Sequence, residues 1–144
     1  MRYEVTVTIH KSVEEVVKAI QDREGAFNWI KNLKKFDLIE GEMNMAKSKY
    51  IMEFVSDKGK KTTMYEEIES IDVPNEIITV YTSGSVWNRC INRFWGHDDH
   101  SHYSMDCEFK FPWYLSIFMW MFKNMFYNQT LKDLEAFKAY VESL

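Results

Sequence analysis

The sequence predicts an α+β chain in which seven antiparallel strands precede one long C-terminal helix. Three observations lead there. The opening residues alternate between polar and apolar. From Lys34 to Phe111 strand-length runs are divided by turn residues, with no sustained helical period. Beyond Pro112 the chain holds helical spacing to about Glu142. At 144 residues, with no internal repeat, linker or low-complexity tract, residues 1–144 read as one domain. A domain of that length buries roughly 68–70% of its unfolded surface, enough for a core without staples.

The first strand, 3–9, places Tyr3, Val5, Val7 and Ile9 on one face and Glu4, Thr6 and Thr8 on the other. Ser12-Val13-Glu14-Glu15 then has the form of a capping box, and Val13, Val16, Val17 and Ile20 follow at helical spacing. That helix ends near Asp22–Gly25. A second short piece, Ala26 to Lys31, carries Phe27, Trp29 and Ile30. Six further strands are expected at 34–41, 47–55, 61–72, 76–83, 86–96 and 100–111. Their connections are too short for parallel crossovers, so a meander follows. Pro112 suits the start of a helix over Trp113–Glu142, because it lacks an N–H that the first turn would leave unpaired. The last half of this helix is amphipathic, with Tyr127, Leu131, Leu134, Lys138 and Val141 on an inner stripe flanked by Phe137. Its first half is apolar nearly all round.

Composition excludes several function classes. The net charge of -4 supplies no positive field for a phosphate backbone, so nucleic acid is not expected as a partner. Two cysteines, Cys90 and Cys107, are too few for a disulfide framework, and the N-terminal residues lack the apolar core of a signal peptide. A reducing, cytoplasmic location is the expectation. The apolar stretch Trp113 to Phe122 is half the length of a membrane-spanning helix. Five Trp, eight Tyr, ten Phe and nine Met exceed what a minimal core needs and point to a lined pocket or an interface.

Four passages carry a family resemblance. They are Val5 to Ile20, Asn28-Trp29-Ile30 leading into Phe36-Asp37-Leu38-Ile39-Glu40-Gly41-Glu42, Tyr65-Glu66-Glu67-Ile68 to Pro74, and Leu131-Lys132-Asp133-Leu134-Glu135-Ala136-Phe137. With the element order, they resemble the helix-grip fold of the START-like (SRPBCC) superfamily across essentially the whole chain. That group includes plant pathogenesis-related allergens, polyketide cyclases/aromatases, coenzyme-Q-binding proteins and Hsp90-activator homologues. The resemblance implies a curved sheet wrapped around the long helix. It also implies a cavity between them that holds lipids, polyketides or other hydrophobic molecules.

The residues suggest how such a cavity is lined. In the last strand Tyr103, Met105, Cys107, Phe109 and Phe111 alternate against His102, Ser104, Asp106, Glu108 and Lys110. If the preceding hairpin loop holds an even number of residues, Val86, Asn88, Cys90, Asn92 and Phe94 face inward, with Arg89 and Arg93 outside near Glu108 and Asp106. Asn88 and Asn92 then sit among apolar residues and need partners, either a ligand or neighbouring protein groups. The candidate ligand-binding set is Trp29, Asn88, Asn92, Phe94, Tyr103, Met105 and Phe109 with Met119, Phe122, Met125 and Phe126 from the C-terminal helix. What the Trp113–Tyr127 segment does not give to core or lining is expected to form a homodimer or membrane-surface contact.

Catalytic and metal signals are thin. There is no Gly-rich phosphate loop, nucleophile elbow or two-His helix motif, and no cofactor is expected. Glu66, Glu67 and Glu69 place carboxylates on both faces of one strand. One of them pointing inward is the minimum a cyclase-like enzyme requires. His97, His100 and His102 form the only cluster with metal-ligand types, but their Gly and Asp neighbours are also what a hairpin turn needs, and no metal site is assigned. Three readings therefore stand. The chain is a carrier or sensor of a hydrophobic small molecule, a polyketide cyclase/aromatase-like enzyme, or an interaction module akin to the Hsp90-activator homologues, with a filled core and an exposed apolar patch.

Overall fold

The computed structural model describes residues 1–144. Its elements are β1 (Arg2–Ile9), α1 (Val13–Gln21), a 3-10 turn (Gly25–Asn28), β2 (Leu33–Glu40), β3 (Lys49–Val55), β4 (Lys61–Asp72), β5 (Glu76–Ser83), β6 (Val86–His97), β7 (His100–Lys110), α2 (Trp113–Met119), a second 3-10 turn (Trp120–Phe122) and α3 (Lys123–Glu142). All seven strands form one antiparallel sheet in the order β1-β7-β6-β5-β4-β3-β2, so the meander from β2 to β7 is completed by β1 pairing with the last strand. Register shifts between Leu33 and Lys35, Leu38 and Glu40, and Ile68 and Ser70 add the local bends by which the sheet curves.

The capping box forms as its residue types require. Ser12 Oγ accepts from the Glu15 amide at 3.2 Å, and Glu15 Oε2 accepts from the Ser12 amide at 2.9 Å. Two residues, Asp98 and Asp99, turn β6 into β7, and this even count sets the expected parity. Cys90 stands opposite Cys107, Asn92 opposite Met105 and Phe94 opposite Tyr103. Arg89 lies opposite Glu108 as expected but pairs with Glu69 at 2.7 Å, and Arg93, opposite Ser104, lies near Asp106 as expected, at 4.0 Å, while also meeting Glu76 at 3.3 Å. The Cys90 and Cys107 sulfurs are 3.6 Å apart and buried. The hydrogen bond with Cys107, then burial, pushes the Cys90 thiol well above its usual range, which suits a packing role and not a nucleophile.

The expected single helix over 113–142 is divided. Trp120–Phe122 tightens into a 3-10 turn between α2 and α3, and neither α2 nor that turn buries a residue, so no tertiary packing holds this stretch to one straight helix. In α3 the inner stripe is narrower than the periodicity suggests. Leu134, Phe137 and Val141 are buried, while Tyr127 is exposed and Lys138 lies at the edge. Phe137, expected at the flank, is the anchor. Its ring meets Trp29 edge-on at 5.0 Å and Tyr103 at 5.7 Å, tying α3 to the first 3-10 turn and to β7. Gly25 permits that turn, because a Cβ there would stand 2.5 Å from the Tyr140 hydroxyl of α3.

Two measurements test this packing. Phe137→Ala is expected to cost about 3–5 kcal/mol in urea denaturation, since it removes a fully buried ring. At the sheet edge, Arg2 donates to both carboxylate oxygens of Asp106 at 3.0 and 2.9 Å, and this bond holds the Asp106 carboxyl below its ordinary value. Stability from that shift is present above the unfolded carboxyl value of about 4 and is lost as pH falls through the lower folded value. Asp106→Asn should therefore flatten the acid limb of the stability profile.

Candidate functional site

The sheet's concave face, the end of α1 and the first 3-10 turn enclose a partly open cavity of about 90 Å³. Ile20, Ala26, Trp29 and Ile30 line one side. Phe36, Met52, Ile68, Ile71 and Ile77 line the sheet side, with Phe94, Tyr103 and Met105 beyond them. The wall is mainly apolar, but its polar groups are specific. Arg23, Asn44, Glu66, Thr79, Tyr81 and Asn92 all reach it.

Glu66 is the inward carboxylate of β4, and its side chain is only 4% exposed. Arg23, 12% exposed, donates to it from Nη1 at 2.7 Å. The guanidinium also stands over the Tyr50 ring at 4.2 Å and the Phe36 ring at 4.8 Å. Burial alone would lower the Arg23 value, but the Glu66 charge and its hydrogen bond, with Tyr50, raise it, so the guanidinium stays charged. Arg23 Nε further donates to Asn44 Oδ1 at 3.3 Å, the Asn44 amide donates to the Tyr50 hydroxyl oxygen at 2.7 Å, and Asn44 Nδ2 donates to the Gln21 carbonyl at 3.1 Å. Gln21 and Asn44 also line a surface groove with Lys18, Asp22, Val73 and Pro74, so these two side chains stand between the cavity and solvent.

At the other end the Tyr103 hydroxyl donates to Asn92 Oδ1 at 2.6 Å, and Asn92 Nδ2 donates to the Ile77 carbonyl at 3.0 Å. Burial pushes the Tyr103 hydroxyl well above its usual range, which keeps it a donor. The buried amide is therefore satisfied by the protein. The buried side-chain atom left without a partner is Trp29 Nε1.

Of the candidate set, Trp29, Asn92, Phe94, Tyr103 and Met105 meet at this cavity. Asn88 does not, being half-buried with its Oδ1 3.5 Å from the Cys90 sulfur. Phe109 stacks with Phe111 and leans on Phe126, at 5.9 and 5.1 Å. Phe109 and Met119 line a second, surface groove with Arg2, Lys110 and Trp120, while Phe122 and Met125 are exposed. The C-terminal helix thus supplies no lining residue and closes the cavity from behind through Phe137. Among the histidines, His100 packs edge-on against His10, and His102 Nδ1 lies 3.0 Å from Thr8 Oγ1. No group of three metal-ligating side chains converges anywhere in the structure.

Sequence reasoning did not find Arg23, Asn44 or Tyr50. Arg23 lies in Asp22-Arg23-Glu24-Gly25, which reads as a charged turn, and its partner is 43 residues away. Glu66 was one of three candidates. The mixed faces of β4 could not single it out.

The whole chain superimposes on solved helix-grip structures. Ara h 8.0201 matches with a TM-score of 0.78 at 15% identity, over 100% of this chain and 99% of that one. A protein from Chromobacterium violaceum matches at 0.77 and 14%, covering 99% and 98%. DynU16, from the dynemicin biosynthetic locus, matches at 0.73 and 12%, over 98% of this chain and 47% of its own. No family model matches the chain, and no curated protein sequence does. At such identities the likeness establishes the fold alone, a helix grip.

The buried pair is testable. Glu66→Gln leaves a guanidinium without its counter-charge and is expected to cost about 3–5 kcal/mol. Adding Arg23→Met should recover part of that loss in a double-mutant cycle read by urea denaturation.

Proposed function

We propose that this helix-grip chain binds a hydrophobic small molecule carrying one polar group, held in the cavity between α1, the first 3-10 turn and the sheet. The observation that carries the reading is the mainly apolar, partly open hollow itself, which the side chains of its wall leave unfilled. Asn92 and Thr79 give that wall one polar end. The Arg23–Glu66 pair supplies a second polar end, so a ligand would be oriented along its length while its body is enclosed by Phe94, Met52 and Met105.

Size limits the class. At about 90 Å³ the hollow is smaller than the roughly 150 Å³ that admits benzene, so the closed form takes only a very compact ligand. A lipid or polyketide requires the wall to give way. Met52 and Met105 are the unbranched, adaptable members of that wall, and the Asn44–Gln21 contact is the natural place for an opening. Glu66 favours a second reading. An inward carboxylate in the same wall as two tyrosines, its cross-strand partner Tyr81 and the more distant Tyr103, is the minimum for moving a proton on a bound substrate.

Organic extraction of the purified protein followed by mass spectrometry is expected to release a bound compound, and a compact polar probe such as formamide or acetamide should raise Tm. Ala26→Phe, which fills the hollow, should abolish both effects. The reading falls if nothing is extracted, no compound shifts Tm, and Ala26→Phe simply stabilises the protein, because the hollow is then only a packing defect.

A further inference from the structure

The surface formed by α2, the second 3-10 turn and the start of α3 is used by neither the core nor the cavity. Trp113, Tyr114, Ile117, Phe118, Trp120, Met121, Phe122 and Met125 are all exposed there, Trp113 at 77% and Trp120 at 71%. Soluble proteins seldom leave so much contiguous apolar surface uncovered. Within α2, at roughly 100° per residue, Trp113, Tyr114, Ile117 and Phe118 spread over about 140° of the helix circumference, so the surface is convex. A flat partner covers only part of such a rod, whereas a fluid phase surrounds it.

Charge supports the same occupant. From Phe109 to Lys132 the chain carries Lys110, Lys123 and Lys132 and no acidic residue, although the protein as a whole is at -4. Lys110 and Lys123 flank the aromatic run and also border the groove beside it. Two tryptophans, a tyrosine and flanking lysines are the side chains that settle at the boundary between headgroups and acyl chains. No helix is long and apolar enough to cross a membrane. The segment Trp113–Phe122 is about 15 Å long at 1.5 Å per residue, which suits a helix lying in the plane of the interface. A second copy of the chain fits less well, since pairing this face with itself would bring like charges together at its rim.

We infer that the Trp113–Met125 surface docks the protein on an anionic lipid bilayer, with the aromatic side chains inserted and Lys110 and Lys123 against the headgroups. This docking is independent of the cavity and stands or falls separately from ligand binding.

The test is flotation of the full-length chain with vesicles of phosphatidylcholine alone and of phosphatidylcholine with phosphatidylglycerol, alongside light scattering of the protein without lipid. Binding to the mixed vesicles, with a blue-shifted tryptophan emission, is the expected result. Replacing both Trp113→Asp and Trp120→Asp should abolish it while leaving the far-UV spectrum and Tm unchanged, because neither side chain is buried. Lys110→Gln and Lys123→Gln should each weaken binding roughly fivefold, and only on the anionic vesicles. Failure to float with either vesicle, or undiminished flotation of the double Asp variant, overturns the inference. So does a stable dimer that the Asp variant dissociates and that never binds vesicles, which assigns the surface to a second copy.

Discussion

The structure depends first on one ring. Phe137 is driven between Trp29 and Tyr103, and by that contact a helix near the C-terminus, a turn near the N-terminus and the seventh strand share a single packed point. Each of those elements brings something different. The turn supports the floor of the cavity, β7 carries the tyrosine that satisfies Asn92, and α3 shuts both from solvent. Burial of apolar surface is nondirectional, so hydrophobicity alone would not choose this arrangement over others. The edge-on geometry of three aromatic groups selects one orientation of helix against sheet.

Around that point the interior is polar in an ordered way. The Asn92 amide takes the Tyr103 hydroxyl and gives to a strand carbonyl, while Arg23, Glu66, Asn44 and Tyr50 form a connected set at the opposite end. Such networks are expensive to leave half made, so they hold their side chains in place. This is why the hollow between them is small and shaped. It is bounded by groups that have little freedom to collapse into it, with two methionines as the softer exceptions.

Much of the fold was legible in the sequence because its signals are local. Turn residues divide the strands within one or two positions of where they occur, Ser12 and Glu15 cap α1, and the parity of β6 and β7 follows from an even hairpin loop. The site was legible only on the sheet side. Alternation reveals that Tyr103 and Met105 face inward, but helical periodicity reports an apolar face without reporting what covers it. Met119, Phe122, Met125 and Phe126 therefore look like lining in the sequence, whereas most of them face solvent or a surface groove. The Arg23–Glu66 pair was hidden for a different reason. A charged side chain in a turn gives no local sign that its partner lies on a distant strand, and only the closed sheet brings the two together.

Because α2 buries no residue, and only Leu115 and Met119 are half-buried, most of its side chains answer to no packing requirement within the molecule. Scaffold and exposed apolar surface are thus separable properties of one polypeptide. That stretch is open to wholesale rewriting, toward a different target or toward inertness, with the sheet and its interior left as they are. The protein is in this sense built like a handle with an exchangeable tip.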